Sequence, residues 1–380
     1  MKIHGAVLET IGASRPYADS RPIQVTELQL DPPGPGEVLT AVEAAGPCHS
    51  DLSVVDGNRV RPVPMLLGHE AAGLVEQVGQ GVDDLEPGQR VVLTFLPRCG
   101  ECAACSTQGL MPCTPGIVAD NAGTLLGGAI RLHRGDEDIK HHLGVSGFAT
   151  HAVVNRRSLV PVDRDVAPAV AAVLGCAVLT GGGVVLNAGV PQPGQTVIVV
   201  GLGGVGMAAV LTAVAHPGVE VIGVDPVPEK LASVLGFGAH AAYAPEEALD
   251  SGLKAPIVIE AAGSVRAFET AVDLTSPGGR TITVGLPAPD ARASVSPLGL
   301  VAEGRSIVGS YLGSAVPSRD IPTFVDLWRA GRLPVEALVT STIRLHDINS
   351  GMDRLADGMA IRQIVTFEGK QGPQVPPSAN

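Results

Sequence analysis

The sequence predicts an α/β protein in two parts: a β-rich domain, and a doubly wound parallel sheet with helices on both faces. Three observations carry this reading. Residues 1–95 hold short alternating strands between Pro/Gly turns. From about Pro191 onward, continuous apolar strands alternate with helical patterns, as βαβ units do. The 380 residues also give room for two separate cores.

In the first part the strand-like runs are GAVLE, GEVLTAVEAAG, AAGLVEQVG and RVVLTF, with turns such as DPPGPGE and LEPGQR between them. Residues 96–147 read as an irregular surface loop that carries four cysteines and the charged segment HRGDEDIKHH. A loop that long is functional or stapled. In the second part QTVIVVG opens the parallel sheet, followed by VEVIGVD, APIVIEAAG and RTITVGL, with helices between them. SIVGSYLG (306–313) reads as an edge strand, IPTFVDLWRAG as a helix, and IRQIVTF as a strand returning to the first domain. The tail KQGPQVPPSAN reads as disordered.

Composition excludes some functions. Hydrophobic residues make up 45% and charged residues 17%, a globular balance. A net charge of −12, with no Lys/Arg cluster to offset it, argues against nucleic acid or an anionic membrane as partner. The most apolar stretch, TVIVVGLGGVGMAAVLTAVA, is broken by glycines and lacks flanking anchors, so it reads as strand, turn and helix. MKIHGAVLET has no apolar run of signal-peptide length, and a cytoplasmic location is expected. In a reducing compartment, clustered cysteines favour metal over disulfides.

The segment VIVVGLGGVG places Gly201, Gly203 and Gly206 in G-x-G-x-x-G spacing, with Gly204 and Val205 inside the motif. The first glycine permits a tight turn, the second a close approach of backbone to pyrophosphate, and the third packing of helix on strand. The motif alone is weak evidence. Here it follows an apolar strand, opens a helix and precedes Asp225, 19 positions past Gly206. A carboxylate there suits ribose hydroxyls and repels a 2′-phosphate, which favours NAD over NADP. Lys230 stands where it would brace the same ribose.

Two metal sites are expected. Cys99, Cys102, Cys105 and Cys113 follow C-x2-C-x2-C-x7-C within residues 97–113. Four thiolates fill all four tetrahedral positions, so this lobe reads as a structural staple. Cys48 in GPCHSDL, His69 in LLGHEAAG and Cys176 in LGCAVLTGG form a scattered set that leaves one position open for chemistry.

With GPCHSD, GHEAAGLVEQVG, the four-cysteine lobe, LGCAVLTGGGVV, GLGGVG and Asp225 together, the chain resembles the zinc-containing alcohol dehydrogenases of the medium-chain dehydrogenase/reductase superfamily. Its long segment from the lobe to DIKHHLGVSGFATHAVV looks most like the liver-type and glutathione-dependent formaldehyde branch. The resemblance implies a GroES-like catalytic domain over 1–177 and 313–380 and a Rossmann NAD-binding domain over 178–312. It implies two zinc ions per chain and NAD as cofactors. Partners would be a small-molecule alcohol or aldehyde and further copies of the chain, as a homodimer or homotetramer pairing through SIVGSYLG.

The resemblance also assigns roles. Cys48, His69 and Cys176 would hold the catalytic zinc, with Asp51 and Glu70 behind them, one orienting His69 and the other able to approach the metal. Zinc would acidify the alcohol, hydride would pass to the nicotinamide, and Ser50 would take the proton. His49 and Arg362 would face the pyrophosphate, and Thr180 and Val205 the nicotinamide. Phe95, Phe148 and Leu286 would line an apolar substrate pocket. A cysteine at 176 rather than glutamate favours simple alcohols over polyols.

Two departures matter. The relay histidine of many relatives is replaced by Ser53, so the proton is expected to leave through water or His49. Ile117 and Arg59 stand where glutathione-dependent relatives use an arginine and an acid, which weakens that activity. The alternatives are a thiol-cofactor-dependent formaldehyde or aryl-alcohol dehydrogenase on the same scaffold, and a non-catalytic NAD- and zinc-binding protein. A zinc-free quinone reductase would lack both cysteine sets.

Overall fold

The computed structural model describes residues 1–367, so the tail KQGPQVPPSAN lies outside the described residues. The chain divides into two compact units: Met1–Cys176 together with the chain from Val339 onward, and Ala177–Leu338. The second crossing is therefore at 338/339, not at the expected 312/313. The reason is packing. Phe324, in the helix Pro317–Arg329, sits where a side chain on Gly182 would go, and the carbonyl of Gly313 lies against Gly183. Residues 313–338 thus pack within the second unit.

The first unit contains a closed barrel and a seven-stranded sheet. The barrel runs Lys2–Leu8, Ile23–Leu30, Leu132–Arg134, Glu137–His141 and Met65–Leu66 around a core including Ile3, Leu28, Leu66, Leu132 and Ile139. Two of these strands fall inside the stretch expected to be irregular, a correction to the reading of residues 96–147. HRGDEDIKHH is a hairpin whose polar outward faces hide the alternation, while Leu132, Ile139 and His141 point inward and are buried. A helix, Thr114–Ala122, also lies in that stretch, capped by the Cys113 sulfur accepting from Gly116 N–H.

In the larger sheet, Glu37–Ala45 pairs with Ala71–Val78 and His151–Asn155, and Ala45 pairs with Val365 of the returning strand Arg362–Thr366. This register places Arg362 near the loop that follows Ala45 and carries Cys48.

The second unit is a six-stranded parallel sheet in the order Ala241–Tyr243, Glu220–Val224, Thr196–Val200, Ala255–Glu260, Thr275–Thr283, Ser306–Gly309. The chain reverses its direction of winding between Thr196–Val200 and Ala255–Glu260. The edge strand stops at Gly309, and Tyr311–Ser314 forms a 3₁₀ turn, so SIVGSYLG is only half strand. Pro168–Gly189 is the one helix among the described residues long and apolar enough to cross a membrane, and 94% of its apolar window is buried, as in a core helix.

Candidate metal and coenzyme sites

Cys48, His69 and Cys176 come together from three places in the first unit. Cys48 caps the helix His49–Val55, with its N–H donating to Asp51 Oδ2 at 2.9 Å. His69 follows Gly68, whose φ of +94° and contact with Phe148 leave no space for a Cβ. Cys176 lies in a π-helical turn, Leu174–Val178. Gly175 allows that turn to approach the Leu93 carbonyl, where a Cβ would come within 2.6 Å.

The donor atoms of the three residues all lie within 4.8 Å of one another, and all three side chains are buried. His69 Nε2 is 3.4 Å from Cys176 Sγ. Tetrahedral zinc with ordinary Zn–S and Zn–N bonds separates such a pair by about 3.6 Å, so the set fits the metal. Its chemistry fits too: two sulfurs and one imidazole leave one position open.

Asp51 fixes this arrangement. Oδ1 accepts from Gly68 N–H at 3.2 Å and pairs with His69 Nδ1 at 3.1 Å, which leaves Nε2 for the metal. His142 Nδ1 also lies 3.1 Å from Asp51 Oδ1, and its ring meets His69 edge-on with centroids 5.6 Å apart. Burial alone would raise the Asp51 pKa, but the two histidines hold it well below the usual carboxylate range. Sequence reasoning missed His142; the histidine pair in DIKHHLGV was the available signal.

The hydrogen bond from Cys176, with the Arg362 and His69 charges, outweighs burial and pulls the Cys48 thiol down, while its bond to Cys48 and burial push Cys176 up. The pair therefore favours a thiolate at Cys48. Arg362 is 3% exposed, with Nη2 donating to Cys48 Sγ at 3.6 Å and Nε 3.6 Å from Glu70 Oε1. Gly46 makes room for Glu70, whose carboxylate would collide with any Cβ there. Of the two acids behind the ligands, Asp51 thus orients His69 and Glu70 faces Arg362.

The four lobe cysteines also have donor atoms within 4.8 Å of one another. The sulfurs of Cys99 and Cys105 are 3.9 Å apart, Cys102 and Cys105 3.6 Å, and Cys102 and Cys113 4.0 Å. Sulfurs around tetrahedral zinc stand about 3.8 Å apart, whereas a disulfide is near ~2 Å. All six cysteines are free thiols, and the lobe fits a closed metal site.

Among the remaining expected residues, Ser50 is half-buried on the first turn after Cys48, and its carbonyl accepts from Ser53 Oγ at 3.0 Å. His49 beside it is exposed. Phe95 stacks edge-on against His69 at 5.3 Å. Phe148 is a correction: it is fully buried beneath Gly68 and supports the His69 loop as core. Leu286 belongs to the second unit and is 46% exposed.

In the second unit Gly201 has φ +93°, and a Cβ there would strike Ala262 at 2.6 Å. Gly206 has no room either, because the Gly201 carbonyl would lie 1.8 Å away. A Cβ on Gly203 would meet nothing of the chain within 4 Å, so the turn presents bare backbone to an open side. Asp225 is buried, with Oδ2 accepting from Leu202 N–H at 2.7 Å and Oδ1 from Val227 N–H at 3.0 Å; Lys230 Nζ is 3.7 Å away. A missing Cβ at Gly181 lets its helix approach the Val205 carbonyl closely. The open glycine turn and the acid at the next strand end fit a dinucleotide.

Residues 34–164 match the alcohol dehydrogenase GroES-like domain family, and residues 204–330 match the zinc-binding dehydrogenase family. An NDMA-dependent alcohol dehydrogenase of Amycolatopsis methanolica is 35% identical, over 96% of this chain and 99% of its own. Among solved structures, an alcohol dehydrogenase zinc-binding domain protein of Burkholderia ambifaria superposes with TM-score 0.88 at 30% identity, covering 96% of this chain and 99% of the other. Benzyl alcohol dehydrogenase of Acinetobacter calcoaceticus gives TM-score 0.88 at 28% identity, over 97% and 99%.

Proposed function

We propose that this chain, which belongs to the zinc-containing alcohol dehydrogenases of the medium-chain dehydrogenase/reductase superfamily, passes hydride from primary or secondary alcohols to NAD. The observation that carries the proposal is the meeting of Cys48, His69 and Cys176, with His69 Nδ1 committed to Asp51. A zinc ion held there supplies Lewis acidity that lowers the pKa of an alcohol hydroxyl.

The chain's own groups do the rest. Asp51 keeps the His69 tautomer, and Arg362 balances the charge of Cys48 and Glu70. Ser50 Oγ takes the alcohol proton and releases it to water or to the exposed His49, since Ser53 Oγ is turned onto the Ser50 carbonyl. Phe95 beside His69 offers an apolar wall that suits aliphatic or aromatic substrates. Gly201, Gly203 and Gly206 answer for the pyrophosphate. Asp225 supports NAD over NADP. The lobe metal is structural, giving two zinc ions per chain.

The proposed assembly is a homodimer or homotetramer in the cytoplasm. The edge strand Ser306–Gly309 exposes 38% of Val308, and the nearby helix Pro297–Glu303 exposes Leu298 and Val301 at 76% and 82%. The likeness to an NDMA-dependent enzyme favours a second reading, in which NDMA rather than free NAD accepts the reducing equivalents.

One screen tests both. The purified protein is given short, branched, terpenoid and benzylic alcohols with NAD, and separately with NDMA. NADH formation supports the first reading, and NDMA bleaching without NADH supports the second. Silence in both arms from zinc-loaded protein sinks the enzyme reading.

A further inference from the structure

Glu260 is 1% exposed at the carboxyl end of the strand Ala255–Glu260 and has no role in the chemistry above. Its carboxylate binds on both sides. Oε1 accepts from Ala262 N–H at 2.8 Å and Gly263 N–H at 2.6 Å, and Oε2 accepts from Thr283 Oγ1–H at 2.6 Å. Its backbone carbonyl also accepts from Val284 N–H at 2.9 Å and Gly285 N–H at 3.3 Å.

One side chain thus ties together the loops that leave two neighbouring parallel strands. These loops touch backbone to backbone. A Cβ on Gly285 would come within 2.3 Å of Gly263 N, and one on Gly263, where φ is +70°, within 2.9 Å of Leu286 N. The first loop is also the wall of the glycine turn, since Gly201 packs directly on Ala262.

The place in the sheet gives this clamp its meaning. Ligands of open parallel sheets lie beyond the carboxyl ends of the strands, where the winding reverses. Here that point is between Thr196–Val200 and Ala255–Glu260. Asp225 ends a strand on one side of it, so the adenosine half belongs there. The other half of a dinucleotide must lie over the strands ending at Glu260 and Thr283.

We propose that Glu260 is the positioning residue for the nicotinamide half of the coenzyme, holding residues 261–263 and 283–286 in one arrangement before the ligand arrives. The inference rests on the reading that this unit binds NAD. A carboxylate suits the task, because its two oxygens accept from three converging donors.

The test compares binding of NADH with binding of AMP, which carries only the adenosine half, in the full zinc-loaded protein. Glu260→Ala removes the clamp, Thr283→Val removes one arm of it in a nearly isosteric way, and Glu260→Gln keeps acceptor and shape. Glu260→Ala should weaken NADH about tenfold and Thr283→Val about threefold, with AMP affinity unchanged. Glu260→Gln should stay within about threefold of the parent for NADH.

Equal loss of NADH and AMP affinity would mark a structural role and overturn the proposal. So would a folded Glu260→Ala and a Thr283→Val that both bind NADH as the parent does. If Glu260→Ala fails to fold, Thr283→Val decides. Parent protein that binds neither NADH nor AMP would instead defeat the coenzyme reading itself.

Discussion

Asp51 Oδ1 and His69 Nδ1 stand 3.1 Å apart with both side chains fully buried, and the same carboxyl group holds the backbone of Cys48 and Gly68. One acid therefore fixes two of the three residues proposed to hold the catalytic metal. It sets the His69 ring through its side chain and Cys48 through the turn that begins the helix.

Replacing Asp51 by Asn should weaken the catalytic zinc roughly 10- to 100-fold, because the His69 tautomer and ring angle lose their charged partner. The lobe zinc should be untouched. Metal analysis after mild chelation should find about one zinc per chain instead of two; two retained ions would contradict the role given to Asp51.

Cys102→Ser should release the lobe zinc and lower the thermal midpoint while leaving the Cys48–His69–Cys176 set intact. A tetrahedral staple with one ligand lost cannot hold residues 97–113. Calorimetry beside alcohol turnover tests the order of losses. A variant with the parent's melting temperature and no activity would reverse the assignment of the two metals.

Asp225→Ser should raise the KM for NAD by about tenfold and make NADP measurable as a coenzyme. Two effects add: repulsion of a 2′-phosphate disappears, and Leu202 N–H in the glycine turn loses its 2.7 Å acceptor. Parallel initial-rate series with the two coenzymes read the change. An unaltered NAD-to-NADP ratio would refute the carboxylate's selective role.

His141 gives a pH prediction that is independent of the metals. It is 1% exposed, and Nε2 accepts from Arg131 N–H at 3.1 Å. Burial, with the Arg131 charge, drives its pKa from 6.5 down to about 3. The folded protein thus keeps His141 neutral while the unfolded chain binds a proton. This contribution to stability is complete above pH 6.5 and declines as the pH falls toward 3, by about 1.4 kcal/mol per unit. At pH 5 the loss is ~2 kcal/mol. Urea unfolding at several pH values should show this slope in the parent and a shallower one in His141→Gln; identical slopes would exclude His141 as the cause.

The four-cysteine lobe and the glycine turn were legible in local sequence because each is one contiguous segment. C-x2-C-x2-C-x7-C and G-x-G-x-x-G are fixed by turns and need no distant partner to be recognised. The hairpin Leu132–His141 was not legible, because its charges conceal a period of two that appears only when one face closes a barrel. Phe148 shows the opposite error. An apolar residue beside a site reads as pocket, and only burial reveals that it is core beneath Gly68.

The sequence by itself marked the four-cysteine spacing, the glycine turn and the acid 19 positions past Gly206, since spacing along the chain encodes short-range geometry. Only the tertiary structure decided that Asp51 rather than Glu70 holds His69, that Arg362 sits against Cys48, that His142 joins Asp51, and that Glu260 ties two loops together. The contacts of Asp51, Arg362 and His142 join residues far apart in the chain, and the Glu260–Thr283 bond joins two strands. The side-chain hydrogen bonds and charges that select such contacts depend on strand register and helix packing, which leave no fixed interval in the sequence.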